Sequence, residues 1–486
     1  SIGYANCQKK KSYGNVTASE LEETMKKDGR DVTVTENGND LSVRYTETGH
    51  EYIVNQDGDI EEKDSDPIVD AVLIGFDGNA IIEKASGKVF YVRNYKDIND
   101  KESYEENGFC KLDISDKELI TTNGIKTKCD HYGFIDNNGK AYLKDENDTL
   151  ICINDIKGSD LKNKKVASFQ TRYGESYGII DENGLIYASS PYYKGYKPYC
   201  ISTEKSNDNV LYEKKIVEMK NNMLLDENGK IYYNYTCLSD IEGSAIKDKK
   251  IKKILACDEN EYSKFYSVID EHGNLYTRGD NDYGQLGDGT IENRDNFVCV
   301  SSLNGKNIVD IYYSNKSVYA LDVDGKLYAW GENDYGQLGD GTEENKTNPI
   351  CISDIKDGAL YNKKIKKMFE LWSFVITDDG KIYGVAENGW KSIDDYFDGI
   401  LNNKKIIDIC ANIFVDEKQN LYLFLGDDDI RTISNVTKYN YSYFYRDHEG
   451  FIFVKDNSEI YFWVLNIGAW ENKNKWKHFI LKNNQE

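Results

Sequence analysis

Metal ligation, nucleophilic catalysis and phosphate binding each demand particular residue types at short, recognisable spacings. The five histidines are His50, His131, His272, His448 and His478, and no two stand at metal-ligand spacing. His272 fills a turn position that Asn or Asp fills elsewhere, so it reads as structural. Ten cysteines include no C-x-x-C pair, which removes the zinc and dithiol readings. No G-x-S-x-G, H-E-x-x-H or G-x-x-x-x-G-K occurs. Two acidic runs invite a calcium reading: Asp280-Asn281-Asp282 with Asp288, and Glu332-Asn333-Asp334 with Asp340. Calcium needs oxygen ligands at alternating positions, while Asn and Gly in the same runs equally shape a turn. A carboxylate pair drawn from distant segments leaves no local trace, so a hydrolase stays open as a minor alternative. No metal, cofactor or catalytic residue is assigned.

Aromatic residues supply a different chemistry. Tyr occurs 38 times. Tyr192, Tyr193, Tyr196 and Tyr199 cluster in a segment flanked by Pro191 and Pro198, and form the candidate ligand-contact surface. Tyr439, Tyr441, Tyr443 and Tyr445 are spaced by two, as in a strand. The chain has 61 basic and 84 acidic residues and a net charge of −23, which argues against nucleic acid as a partner.

These residues are positioned by a repeat. Six clear copies of one turn lie at 135–142, 180–187, 225–232, 269–276, 321–328 and 376–383, with weaker copies at 86–90, 415–422 and 454–461. Each clear copy joins two apolar strands through Asn-Gly, Asp-Gly or His-Gly, which closes a tight β-hairpin. The turn glycines are Gly87, Gly139, Gly184, Gly229, Gly273, Gly325 and Gly380. Gln419 and Ser458 replace Gly in the last two copies, which predicts looser turns there. An aromatic residue follows each turn in all nine copies. Cys110, Cys152, Cys200, Cys237, Cys299 and Cys351 recur downstream, each expected to begin a strand as a small buried residue rather than a disulfide partner. Four short strands per unit predict an all-β fold: a β-propeller of four-stranded blades, with nine units counted and seven or eight blades also possible.

Two copies carry a longer motif, Leu-Tyr-Thr-Arg-Gly-Asp-Asn-Asp-Tyr-Gly-Gln-Leu-Gly-Asp-Gly-Thr at 275–290 and Leu-Tyr-Ala-Trp-Gly-Glu-Asn-Asp-Tyr-Gly-Gln-Leu-Gly-Asp-Gly-Thr at 327–342. This resembles the repeat of the regulator-of-chromosome-condensation family over roughly residues 67–486. The resemblance implies a propeller, of seven blades in the family norm. It assigns the structural loops to Gly279, Asn281, Gly284, Gln285, Leu286, Gly287 and Gly289, and to Trp330, Gly331, Asn333, Gly336, Gln337, Leu338, Gly339 and Gly341.

Residues 1–62 form a separate small α+β segment: a capped helix at Thr17–Glu20 onward, then a meander of three or four strands, with a charged linker at 57–66 before the propeller at 63–486. The segment is loosely similar to Gram-positive prepilin-like proteins, which implies a stalk. Lysine pairs (164–165, 214–215, 249–250, 363–364, 404–405, with Lys306 alone) precede the first strands. They form either a basic rim for a polyanion or, preferably, gatekeeping charges. The sequence reading is a non-catalytic, secreted or surface-displayed module that recognises a protein or glycan. It is expected to be monomeric unless part of a pilus, and membrane-attached only through an anchor preceding Ser1. The alternative is an intracellular propeller acting on a small GTPase.

Overall fold

In the computed structural model, the described residues run from 17 to 466, except 28–31, 38–39, 46–50, 55–59, 64–66, 75–78, 94–109, 112–116, 121–124, 130–132, 145–148, 173–175, 190–196, 204, 206–208, 221, 235, 260–263, 315, 370–373, 387–388, 394–400, 402, 411–412, 425–429, 445–447 and 457–458. The chain divides into two compact units, Ser1–Val69 with Lys84–Ser86, and Asp70–Glu83 with Gly87–Glu486.

In the first unit a helix spans Ala18–Lys27. Its capping box is present as drawn from sequence: the Glu20 carboxylate accepts from the Thr17 N–H at 2.9 Å, and the Thr17 hydroxyl accepts from the Glu20 N–H at 3.3 Å. Leu21 and Met25 bury one helix face against Val32, Val34, Val43 and Val54 of the sheet. That sheet has four strands, and its last is Ile60–Lys63. The linker expected at 57–66 is corrected there: Glu51–Val54 offers a free edge, and Ile60–Lys63 pairs with it in antiparallel register.

The second unit is a ring of nine four-stranded antiparallel blades. The family norm of seven, and the alternatives of seven or eight, give way to nine. Blades 2 to 8 are meanders, and every blade is counted here from an inner first strand to an outer fourth. Blade 5 is typical: Ile251–Glu259, Lys264–Asp270, Leu275–Gly279 and Arg294–Cys299. A separate apolar cluster fills each gap between successive blades from blade 1 to blade 9, so blades 2 to 8 bury both faces.

Closure uses both ends of the unit. The outer strand of blade 9 is Cys110–Lys111, paired with Glu459–Asn466. The Asn440 amide of blade 9 then donates to Asp70 at 2.7 Å and to the Ala71 carbonyl at 2.6 Å on the first strand of blade 1. This separates Cys110 from the other repeat cysteines. It faces Phe462, whereas Cys152, Cys200, Cys237, Cys299 and Cys351 face Tyr142, Tyr187, Tyr232, Tyr276 and Tyr328.

Candidate functional site

The hairpins set up one face of the ring, the turn face. In blade 2 the Gly139 N–H donates to the Asp136 carbonyl at 3.0 Å, leaving a three-residue loop whose last residue has φ +79°. That is the geometry of a turn followed by a left-handed bulge residue, which glycine adopts without a Cβ penalty. The repeat aspartate organises the rest. Asp226 is buried; one oxygen accepts from the N–H groups of Asn228 (3.0 Å) and Lys230 (2.8 Å), and the other from the Tyr232 hydroxyl (2.9 Å). Asp181, Asp270, Asp322 and Asp416 repeat the arrangement with Tyr187, Tyr276, Tyr328 and Tyr422. Thr377 takes the role in blade 7 through its hydroxyl. The turn at Gln419 is not looser: Gln419 adopts φ +61°, and Asp416 accepts the same two N–H groups. Ser458 lies outside the described residues.

Burial pushes the repeat tyrosines above their ordinary range, and the aspartate acceptors add to it; Tyr422 reaches about 12. For Asp270 and Asp416 burial acts upward, but the hydrogen bonds they accept outweigh it and hold both below the usual carboxylate range.

The lysine pairs fall on this face with a structural task. The Gly139 carbonyl accepts from the Val166 N–H of blade 3 at 2.8 Å, and the Lys165 carbonyl accepts from the Glu182 N–H at 2.8 Å. The same two bonds recur at Gly184 and Lys215, Gly229 and Lys250, Gly325 and Lys364, and Gly380 and Lys405. The lysine stem lies over the preceding glycine, where an added Cβ at Gly139 would meet Lys165 Cβ at 2.6 Å. Glutamates interleave: Lys215 faces Glu227 at 3.6 Å and Lys405 faces Glu417 at 3.8 Å. The rim is therefore mixed in charge, which corrects the basic-ring reading.

Cys110 begins its strand as expected, whereas Cys152, Cys200, Cys237, Cys299 and Cys351 close theirs and are half-buried rather than buried. A one-turn 3-10 helix follows in blades 4 and 6, at Leu238–Asp240 and Ile352–Asp354. Its buried serine accepts the N–H that starts the third strand: Ser239 from Ile231 and Ser353 from Leu327, each at 3.0 Å. The Cys152, Cys237, Cys299 and Cys351 thiols are free, and burial pushes them up, to about 11 for Cys152, Cys237 and Cys351. They are weak nucleophiles.

The opposite, loop face carries the two long motifs. Asn281 is fully buried. Its amide nitrogen donates to the carbonyls of Thr290 (3.0 Å) and Glu292 (3.1 Å), and its oxygen accepts from the Leu286 N–H (2.8 Å). Asn333 holds the 333–345 loop in the same way. Each loop is also clamped by the next blade. The Trp330 indole of blade 6 donates to the Gln285 carbonyl at 2.8 Å, and Trp390 of blade 7 donates to the Leu338 carbonyl at 3.2 Å. Gly287 and Gly339 sit against those indoles, where a Cβ would come within 2.8 Å and 2.3 Å of the rings. Gly284 lies against Thr347 of the neighbouring outer strand. Gly279, Gly289, Gly331, Gly336 and Gly341 all have positive φ.

The carboxylates of the calcium reading are engaged within their own loops. One Asp288 oxygen accepts from the Thr290 N–H and hydroxyl, and the other pairs with Arg294 at 2.9 Å. Asp340 binds Thr342 likewise and pairs with Lys346 at 3.3 Å. These bonds outweigh burial and hold both carboxylates below their usual range.

Of the proposed contact tyrosines, Tyr192, Tyr193 and Tyr196 lie outside the described residues. Tyr199 lies in the outer strand of blade 3, half-buried against the cluster of Ile180, Leu211 and Met219. The strongest outward apolar display on the motif loops was not singled out from sequence: Ile291 is 62% exposed and Tyr335 73% exposed. Ile291 lies between the last motif glycine and the outer strand, and Tyr335 directly before Gly336, a signal visible only once the loops are known to be rigid.

Comparison with known proteins agrees with the motif. A model of the regulator of chromosome condensation (RCC1) repeat matches residues 272–321 and 324–368, and a second such model matches 308–337. The human E3 ubiquitin-protein ligase HERC2 is 30% identical over 161 residues, 31% of this chain and 3% of that protein. The human X-linked retinitis pigmentosa GTPase regulator is 36% identical over 96 residues, 20% of this chain and 9% of that protein. The chain thus spans a small fraction of these relatives. A solved structure of Prp20p from Saccharomyces cerevisiae, described with its binding to Gsp1p and histones, shares 15% identity over 64% of this chain and 84% of that one, with a TM-score of 0.36. The matched segments run from the turn before the third strand of blade 5 to the first strand of blade 7, and over them the chain resembles the regulator-of-chromosome-condensation propellers.

Proposed function

We propose that this propeller is a non-catalytic protein-binding module whose contact surface is the pair of motif loops at 280–293 and 332–345. The observation that carries this reading is their rigidity combined with what they display. Buried Asn281 and Asn333 fix the loops from inside, and Trp330 and Trp390 fix them from the next blade. Those fixed loops expose Ile291 and Tyr335, together with Asp282, Glu292, Asp334, Glu343 and Glu344. Preformed loops that carry exposed apolar and acidic side chains suit a partner with apolar patches and basic neighbours, because little ordering entropy is lost on binding.

The similarity to a protein named as a GTPase regulator supports a small GTPase as the partner class, and favours this reading over the adhesin expected from sequence. The test is binding of the purified chain to a panel of small GTPases, nucleotide-free and nucleotide-loaded, by biolayer interferometry. We expect one to bind, with Tyr335→Ala weakening it about 30-fold, the scale of a buried hot spot. Binding unchanged in both Tyr335→Ala and Ile291→Ser removes the loops as the surface. No binding across the panel removes the GTPase.

A further inference from the structure

Blade 6 breaks the seam pattern of the turn face. At the seams described above, the turn glycine carbonyl accepts from the first-strand N–H of the next blade. Between blades 5 and 6 the Gly273 carbonyl and the Ile308 N–H form no such bond. The residue before Ile308 is Asn307, where those seams have Lys165, Lys215, Lys250, Lys364 and Lys405. Asn307 takes φ +51°, a left-handed backbone that none of those lysines adopts. The strand start stands off accordingly. An added Cβ at Gly184, Gly229, Gly325 or Gly380 would lie within 3.2 Å of the first-strand nitrogen, whereas at Gly273 its three nearest atoms all belong to Asn307.

A second departure falls on the same seam. The residue after the turn aspartate is Glu182, Glu227, Glu271 and Glu417 in blades 3, 4, 5 and 8, but Val323 in blade 6. Val323 is 63% exposed. Val309, the residue that the strand pairing of blade 6 skips, is 43% exposed.

The seam opens as a groove of about 410 Å³ on the turn face. That is within the span of small-ligand pockets, about 300–1,000 Å³. Buried Leu255, Ile269 and Ile308 line its base. Blade 6 supplies an aliphatic wall, Val309 and Val323, and blade 5 a basic one, Lys252 and Lys253. Both lysines are exposed and form no ion pair among the described residues; Lys253 acts on the Glu218 carboxylate of blade 4 only at longer range. Of the lining carboxylates, Asp270 is committed to its own turn, and Glu271 faces His272 Nε2 at 3.9 Å. In a chain of net charge −23, uncommitted lysines opposite exposed valines complement an extended peptide that carries both carboxylate and aliphatic side chains.

We propose that the seam between blades 5 and 6 is a docking groove for an acidic, aliphatic peptide segment of a partner protein. Its carboxylates meet Lys252 and Lys253, and its aliphatic side chains pack on Val309 and Val323. The groove lies on the face opposite the motif loops and stands whatever partner they take.

The test is fluorescence anisotropy of the full chain with a labelled peptide, Glu-Glu-Val-Leu-Glu-Glu. Two control peptides carry Lys for every Glu, or Ser for Val and Leu. We expect saturable binding of the first peptide that weakens with added salt, and binding at least about tenfold weaker for each control. Val323→Glu restores the sister residue at an exposed turn position, so it should keep the wild-type thermal midpoint and bind about tenfold more weakly. Lys252→Ser combined with Lys253→Ser removes the basic wall and should weaken binding to a similar extent. No saturable binding of the acidic aliphatic peptide, equal binding of either control, or wild-type affinity in either folded variant overturns the groove as a docking site.

Discussion

The repeat aspartate ties a hairpin turn to the tyrosine that follows it. Asp226 satisfies two turn N–H groups and one buried phenol, so Asp226→Ala leaves three donors unpaired. An unsatisfied buried donor costs about 1–3 kcal/mol, although the turn N–H groups recover water. We expect a loss of about 3 kcal/mol for Asp226→Ala and about 1 kcal/mol for Tyr232→Phe in urea unfolding. The pH dependence follows from the shift directions. Asp270, Asp288, Asp340 and Asp416 have folded pKa values below the ordinary one. Their contribution is complete above pH ~4, the unfolded carboxylate value, and drains away as pH falls through the depressed folded values. The tyrosines are raised, so theirs is complete below pH ~10 and is lost as pH climbs toward the folded values, about 12 for Tyr422. A stability plateau between these limits, measured as urea midpoint against pH, is the expected profile; a midpoint that climbs on acidification below pH ~4 contradicts it.

At the scale of the element, two glycine substitutions separate turn strain from blade packing. Gly87 and Gly139 share φ near +80°, but an added Cβ meets nothing within 4 Å at Gly87 and meets Lys165 Cβ at 2.6 Å at Gly139. Gly87→Ala should cost about 1 kcal/mol and Gly139→Ala about 2 kcal/mol more, because overpacking is added to strain. Equal costs would mean that the neighbouring blade yields freely. For the motif loops, Asn281→Ala should raise amide exchange in 281–293 while leaving the blade strands protected. The hairpins were legible in the sequence because Asp-x-x-Gly and an aromatic at fixed offset are local signals. The serine two residues after Cys237 and Cys351 was not singled out, because its acceptor work is done across the blade, on an N–H that starts another strand. Trp390 was silent for a similar reason. It stands on an outer strand whereas Trp330 stands on a third strand, yet both reach the preceding loop.

For the whole molecule, counting turns gave the number of blades because each hairpin sits in a separate sheet. What the count left open was how nine sheets close, since closure pairs residues with no shared pattern. Cys110 looked like its repeat counterparts and instead finishes blade 9. Asn440 carries the other half of that seam, so Asn440→Ala should lower the thermal midpoint more than Asn420→Ala, whose amide bonds only within its own turn. Differential scanning calorimetry of the two variants checks this, and an equal shift removes Asn440 from closure.

That seam joins Asn440 to a residue 370 positions earlier. A ribosome emits the first blade long before blade 9 exists, so the nascent chain must hold the Cys110–Lys111 strand unpaired until Glu459–Asn466 has emerged. A circular permutant reopened between blades 2 and 3 would bring Asn440 and Asp70 from 370 to about 116 positions apart. It should refold faster than the natural order while reaching the same final ring.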